Sequence, residues 1–340
     1  MDKIFKNITV IGSGAWGTAL AQMLAGQHRM DTRVILYARD SDVATDINAH
    51  HENTKYLKGC SLSPALIAVS DLAAAVSEAD IIVMATPAQY FAATFAAVAQ
   101  HARAGVPVIN TAKGISMETG ERLSQIAQRI APNLPYGVLS GPSFAHEVAK
   151  GLPTALTLAT RNIKLEESRG WAATLSSPTF RPYLSDDIVG VEYGGALKNV
   201  IAIACGVVHG RKLGENARAA VMIRGMAEIT RLAVAAGAYE HTFLGLAGMG
   251  DLVLTCNSMA SRNFSLGAAL GEGKSLKDVM QGRVSVAEGV ATAKAVAAEA
   301  QQRKIDMPIC NAVNDLLHNS KPLDEIINNL LSRDLKAERE

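Results

Sequence analysis

The chain has little of what marks a secreted, metal-bound or nucleic-acid-binding protein. Among its 340 residues are four cysteines, Cys60, Cys205, Cys256 and Cys310, all far apart in sequence. They suggest neither a disulfide framework nor a cysteine-based metal site, and read as reduced, structural thiols of a cytoplasmic protein. No spaced cluster of histidines, cysteines and carboxylates suggests a catalytic metal, and His28, His50, His51 and His101 read as surface or helix-end residues. Neither sign of charge prevails. Thirty-three basic against thirty-two acidic residues give +1 with neutral histidines, which removes any general electrostatic case for a nucleic-acid partner or an anionic membrane. The start, MDKIFKNITV, lacks the long apolar core of a secretory signal. Apolar runs such as GALKNVIAIACGVVHG are interrupted by Lys198, Asn199 and His209, so no stable membrane association is expected.

What is present is an ordinary globular composition, 49% apolar and 19% charged, in a chain long enough for two cored domains. Apolar, β-rich runs at 8–12, 33–39, 81–86, 107–113, 136–141 and 154–160 alternate with helix-forming segments. That alternation predicts an α/β domain with a mostly parallel twisted sheet covered on both faces. From about residue 190 the spacing turns helical, in VEYGGALKNVIAIACGVVHGRKLG, ARAAVMIRGMAEITRLAVAAG and VAEGVATAKAVAAEAQQRK. Residues 1–190 therefore read as a dinucleotide-binding domain and 191–340 as a helical substrate-binding domain.

The dinucleotide reading rests on ITVIGSGAWGTALA, where Gly12, Gly14 and Gly17 form GxGxxG between a strand and a helix. The first glycine permits the tight turn, the second lets backbone approach a pyrophosphate, and the third allows close packing of helix on sheet. Trp16, inside the same turn, must pack somewhere, against the cofactor or against its own domain. An NAD-specific site carries an acid about twenty residues further on. Here Tyr37, Ala38, Arg39 and Asp40 occupy that region. Arg39 suits the 2′-phosphate of NADPH, Asp40 turned inward suits NADH, and both cofactors stay open. A second phosphate-loop candidate, GEGKS at 271–275, fails because Ala268 stands where GxxxxGKS requires glycine and no buried strand leads into it.

Several polar residues sit among glycines and apolar neighbours. Lys113 in NTAKG follows a predicted strand, at the edge where open α/β sheets bind ligands. Lys198 interrupts an apolar helix, so it must snorkel to water, pair with an acid or face a ligand. Asp251 in GMGDLVLTC is an acid in apolar surroundings and a candidate N-cap for a helix starting near 252. Arg262 and Asn263 in SRN offer a planar cation and an amide suited to phosphate oxygens.

Together VIGSGAWGTALA, NTAKGI, LSGPSFAHEVAKGLPTA, GGALKNVIAIACG, NARAAVMIRG, GLAGMGDLVLTC, SRN and VAEG resemble the NAD(P)-dependent glycerol-3-phosphate dehydrogenases of the bacterial biosynthetic type, from about residue 8 to 330. The resemblance implies a Rossmann-like sheet domain followed by an all-helical domain. It implies reversible NADPH- or NADH-dependent reduction of dihydroxyacetone phosphate to glycerol 3-phosphate, in a cytoplasmic homodimer that supplies phospholipid precursors. Lys198 would exchange the proton at the carbinol oxygen. Lys113, Gly141, Ser143, Asn199, Asp251, Thr255, Ser261, Arg262 and Asn263 would line the substrate. Gly12, Gly14, Ala15, Trp16, Gly17, Arg39, Lys113, Ala145, Arg262, Val286 and Glu288 would follow the dinucleotide. Lys113 beside Lys198 would lower its pKa and Asp251 would raise it, with geometry deciding the balance. A lysine-dependent hydroxy-acid or keto-acid dehydrogenase, or a dinucleotide-binding protein without turnover, are the alternatives.

Overall fold

The computed structural model describes residues 4–27, 32–281, 287–334 and 337; His28 and Val286 lie outside them. The chain opens with β1 (Asn7–Ile11), α1 (Ala15–Ala25), β2 (Arg33–Tyr37), α2 (Ser41–His50), β3 (Leu66–Val69), α3 (Leu72–Val76) and β4 (Ile81–Met84). It continues with α4 (Phe91–His101), β5 (Val108–Asn110), α5 (Leu123–Ile130), β6 (Tyr136–Ser140), α6 (Ala145–Ala149), β7 (Thr154–Thr160), α7 (Leu165–Leu175) and β8 (Phe180–Ser185). These strands form one sheet in the order β3-β2-β1-β4-β5-β6-β7-β8, parallel throughout except between β6 and β7.

IIVM of β4 is buried at every position and NITVI of β1 at all but its first, as expected of strands covered on both faces. The order reverses between β1 and β4, which opens a crevice at their carboxyl ends. β3 and β8 escaped the sequence reading. Both are sheet edges: LIAV is short and half exposed, and FRPYLS carries Pro182, which edge strands tolerate. His50 ends α2, His51 follows it with φ 54°, and His101 ends α4, so these three fall at helix ends.

From Ile188 onward the described residues are helical: α8 (Ile188–Gly210), α9 (Glu215–Ala235), α10 (Asp251–Cys256), α11 (Arg262–Gly271), α12 (Leu276–Gln281), α13 (Glu288–Arg303), α14 (Pro308–His318) and α15 (Leu323–Leu331). The spine is α8, packed by α9, α10, α11, α13 and α14, and it also touches β6. Lys198, Asn199 and His209 do not break it. By length and composition the 23-residue helix could cross a membrane, but 89% of its apolar 18-residue stretch is buried inside the protein. The apolar side chains of α8 are satisfied by the helical core instead. All four cysteines are free and buried.

Candidate active site

The glycine turn sits in the β1/β4 crevice. Gly12 has φ +114°, and a Cβ there would lie 2.9 Å from the Ala85 carbonyl oxygen just beyond β4. A Cβ on Gly17 would run into the Gly12 carbonyl, so helix and strand can close only with glycine. Gly14 is the opposite case: a Cβ would meet nothing within 4 Å, and no side chain caps α1. The turn thus leaves open space before an uncapped helix N-terminus, a cradle that fits a dinucleotide pyrophosphate. Trp16 is half buried beside Ala15, and both, like Ala145 at the start of α6, pack against the sheet-domain core.

At the end of β2, Arg39 is exposed. Asp40 does not turn inward: it caps α2, accepting from the Asp42 amide at 3.1 Å, and pairs with Lys55 at 2.7 Å. Those two partners, Lys55 first, hold its carboxyl below the usual range.

Further along the crevice, three charged side chains from separate segments converge. Lys113 Nζ donates to Asp251 Oδ2 at 2.6 Å and to the Gly141 carbonyl at 3.0 Å. Lys198 Nζ donates to Asp251 Oδ1 and to Thr255 Oγ1, the latter at 2.8 Å. Thr255 in turn donates to the Asp251 backbone carbonyl at 2.6 Å. Asp251 is 1% exposed and Lys198 7%. Burial is the main cause that lowers the Lys198 pKa, to about 8; Asp251 opposes it and Lys113 adds to it. The lysine is therefore neither snorkelling nor fully neutralised by its acid. Each ammonium has three N–H groups. Two are spent on the bonds above, and one of each has no partner among the described residues.

Asp251 is not the helix cap that its sequence position suggests. A π-helical turn, Leu246–Gly250, precedes α10, Gly250 takes the cap position, and Asp251 begins the helix with its carboxylate turned to the lysines. Gly141 has φ +147°, and its carbonyl also accepts from Ser143 Oγ at 2.9 Å.

A second polar group lies at the start of α11. Ser261 caps it through the Phe264 amide, 3.2 Å away, and Arg262 is the first, exposed residue. Asn263 points inward. Its amide donates to Asn199 Oδ1 at 2.9 Å and its carbonyl accepts from the Gly289 amide at 3.0 Å. Glu288 begins α13 and accepts from the Ala88 amide at 3.3 Å. Burial raises its pKa, against the pull of Arg262, Lys113 and Lys198, so the two clusters share one electrostatic environment. Among the described residues no group of three or more His, Cys, Asp and Glu is arranged to hold a metal.

The sequence of residues 7–166 matches the family model for the NAD-dependent glycerol-3-phosphate dehydrogenase N-terminus, and residues 187–328 match the C-terminus of the same family. The chain belongs to the NAD-dependent glycerol-3-phosphate dehydrogenase family. It is 50% identical over 338 residues to a glycerol-3-phosphate dehydrogenase [NAD(P)+] of Rhodospirillum rubrum, covering 99% of this chain and 95% of that protein. A Caulobacter vibrioides protein of the same description is 48% identical, with 98% and 99% covered. The crystal structure of glycerol-3-phosphate dehydrogenase from Coxiella burnetii superposes with a TM-score of 0.91 at 36% identity, over 96% of this chain and 99% of that one.

In this family member, a buried acid on α8 and its half-buried cationic partner went unnoticed in the sequence. Glu192, on α8 ahead of Lys198, accepts from Arg122 Nη1 at 2.9 Å, from the Ser124 amide at 2.7 Å and from Ser124 Oγ at 2.5 Å. The signal was available: an acid within the apolar run IVGVEYGGAL must have a partner. Arg122, its cationic partner, is legible only once the loop after β5 is seen to return to α8.

Proposed function

We propose that the chain catalyses the reversible, NAD(P)H-dependent reduction of dihydroxyacetone phosphate to glycerol 3-phosphate, with Lys198 as proton donor and acceptor. The observation that carries the reading is the pair of ammonium groups on one buried carboxylate, each with an unspent N–H.

Hydride transfer to C2 is the chemistry that a bound nicotinamide would supply. Negative charge grows on the ketone oxygen, and Lys198 gives that oxygen a hydrogen bond and then a proton. In the oxidising direction neutral Lys198 takes the proton back. A lysine with a pKa near 8 is matched to both tasks at neutral pH. Lys113 contributes a fixed positive charge and its free N–H to the same ligand. Asp251 and Thr255 hold Lys198 so that its third N–H points away from them. Arg262, planar and always charged, grips the substrate phosphate in a two-pronged contact. Gly141, Ser143, Asn199, Ser261 and Asn263 complete the wall of the substrate site. Gly12, Gly14, Ala15, Trp16, Gly17, Arg39, Ala145 and Glu288 follow the dinucleotide, with Lys113 and Arg262 between the two ligands. Phospholipid precursor supply in the cytoplasm is the setting this activity fits. A homodimer is the proposed state, and the thinly covered first half of α9, with Ile223 53% exposed, is a face a second copy would cover.

The test follows the absorbance of NADPH and NADH separately in the presence of dihydroxyacetone phosphate. Oxidation of at least one, dependent on the ketone, is the expected result; binding without turnover would refute the reading.

A further inference from the structure

Two loops of the sheet domain meet beside Lys113. The first follows β4, where a short 3-10 turn, Ala88–Tyr90, runs directly into α4. The second follows β5 and carries Lys113 and Gly114. A Cβ on Gly114 would lie 2.6 Å from the Cβ of Ala88, a hard clash with an atom fixed to its own backbone. The next nearest atom, Thr292 Oγ1, would be at 3.8 Å, an ordinary contact. Gly114 has no positive φ, so the approach of Ala88, and not the backbone conformation, is what asks for glycine here.

Gln89 ties the same two loops together. Its side-chain amide donates to the Ile115 carbonyl at 2.9 Å, and its side-chain oxygen accepts from the Met117 amide at 3.0 Å. The turn has little room to yield: Ala88 is buried, and Phe91, the first residue of α4, is fully buried and stacked on Phe95. The second loop is anchored on either side of Lys113 and Gly114. Before them, Thr111 bonds the Met84 carbonyl through both its amide and its hydroxyl, at 2.9 and 2.8 Å, and the Ala112 amide donates to Asn110 Oδ1 at 3.1 Å. After them, Ile115 is buried, held by Gln89 and bridged to Arg122. Only Lys113 and Gly114 lie between these anchors. A displacement forced at Gly114 is therefore taken up by the backbone of Lys113.

We propose that the turn after β4 is the seat of Lys113: Gln89, and the close contact of Ala88 with Gly114, hold the lysine backbone where its ammonium reaches Asp251 and the Gly141 carbonyl. Gln89 and Gly114 are positioning residues that act through Lys113. The inference rests on the reading of Lys113 as a contact of the substrate. Relieving a 2.6 Å contact to an ordinary carbon–carbon separation of about 3.5 Å takes nearly 1 Å of movement. A shift of that size, passed to Lys113, is enough to break either of its bonds, at 2.6 and 3.0 Å. The same turn gives the Ala88 amide to Glu288 of α13, so it also sets that acid of the helical domain in register with the lysine.

The experiment uses the full chain and compares wild type, Lys113→Ala, Gly114→Ala, Gln89→Ala, and Gly114→Ala combined with Ala88→Gly. The combined variant moves one methyl across the contact into nearly the same space, and it keeps the amide that Glu288 binds. Lys113→Ala sets the size of a full loss. Gly114→Ala should raise KM for dihydroxyacetone phosphate roughly tenfold, with kcat and NADPH affinity within about threefold of wild type, since small misplacements of a binding group are costly. Gln89 is exposed, so its replacement spares the core, and loss of its two bonds should raise KM by about three- to fivefold. The combined variant should return KM to within about threefold of wild type, because the two substitutions share one contact. A glycine that serves only the fold would lower the melting midpoint and leave KM unmoved, and that result overturns the proposal. So does a combined variant no better than Gly114→Ala alone, or a KM unchanged in Gln89→Ala. If Gly114→Ala does not fold, the combined variant and Gln89→Ala decide the matter. If Lys113→Ala itself keeps the wild-type KM, the reading of Lys113 fails and takes the proposal with it, an outcome distinct from a normal KM in the positioning variants alone.

Discussion

Lys113 and Lys198 hold opposite oxygens of the same buried carboxylate. The first comes from the loop after β5 and the second from the middle of α8, so Asp251 ties the sheet domain to the helical domain. Two ammonium groups against one carboxylate leave an excess positive charge in a low-dielectric site. Isolated, that charge is costly. On the proposed reading it would be compensated when a phosphorylated substrate enters, and again when the ketone oxygen gathers charge. Burial is the main cause that lowers the pKa of Lys198, and the charge of Lys113 adds to it.

From that shift follows a pH dependence of opposite sign in the two directions. With Lys198 as the proposed proton donor, reduction would need it protonated, so kcat/KM should be level below about pH 8 and fall above it. Oxidation of glycerol 3-phosphate needs the neutral amine, so its kcat/KM should rise through the same pH. Initial rates of both reactions from pH 6.5 to 9.5 (a range chosen to bracket the shift by roughly 1.5 units on either side) would check this. Two profiles of the same shape would rule out one shared proton donor and acceptor.

Replacing Lys198 should separate chemistry from binding. Lys198→Ala removes the proton partner but leaves Asp251 paired with Lys113, so dinucleotide affinity should stay near wild type while turnover drops about a hundredfold or more. Lys198→Arg keeps the charge, yet a guanidinium does not release its proton near neutrality. It should be nearly as slow as alanine, and its reduction profile should lose the limb near pH 8. Single-turnover rates measure both, and an arginine variant of near-normal rate would assign position 198 a purely electrostatic part.

Much of this arrangement was legible before the structure, and the rest was hidden for identifiable reasons. The glycine turn was readable because Gly12 and Gly17 answer to local sterics, which sequence spacing records. The change from alternating strands to helices was readable because periodicity is local too. The partnership of Lys198 with Asp251 spans 53 residues and two helices, and no local pattern encodes it. Asp251 misled as a cap because the preceding residues form a π-helical turn that shifts the helix start. Asn263 reads as a ligand residue in SRN, yet its amide is largely committed to Asn199 and Gly289. The buried acid Glu228 gave no functional signal; its two oxygens accept the Ile309 and Cys310 amides at the start of α14, at 2.7 and 3.0 Å.

Cofactor preference should turn on Arg39. The neighbouring acid, Asp40, is engaged with Lys55 and with the first turn of α2, so it is not poised to accept the ribose hydroxyls of NADH. Arg39 stands exposed beside it, where a 2′-phosphate would sit. Arg39→Asp should lower kcat/KM for NADPH while costing NADH much less. The ratio of the two efficiencies is the measurement, and a ratio unmoved by the change would place Arg39 in solvent.

The substrate phosphate offers the sharpest discrimination between this activity and its hydroxy-acid and keto-acid neighbours. Arg262 begins α11 immediately after the Ser261 cap, exposed, in the same electrostatic environment as Lys113, Lys198 and Glu288. A guanidinium there can meet two phosphate oxygens at once, whereas one ammonium offers only a point charge. Arg262→Lys should therefore be damaging although the charge is kept. Because Arg262 is proposed to meet the dinucleotide as well, activity with one substrate would not isolate the cause. The comparison is dihydroxyacetone phosphate against unphosphorylated dihydroxyacetone at saturating cofactor. Wild type should favour the phosphorylated ketone strongly, and the substitution should narrow that preference by roughly tenfold or more, the order expected for a lost charge-assisted contact of about 1.5–3 kcal/mol. If both ketones lose activity by the same factor, Arg262 serves the cofactor or the fold, and the free N–H of Lys113 becomes the next group to test for the phosphate.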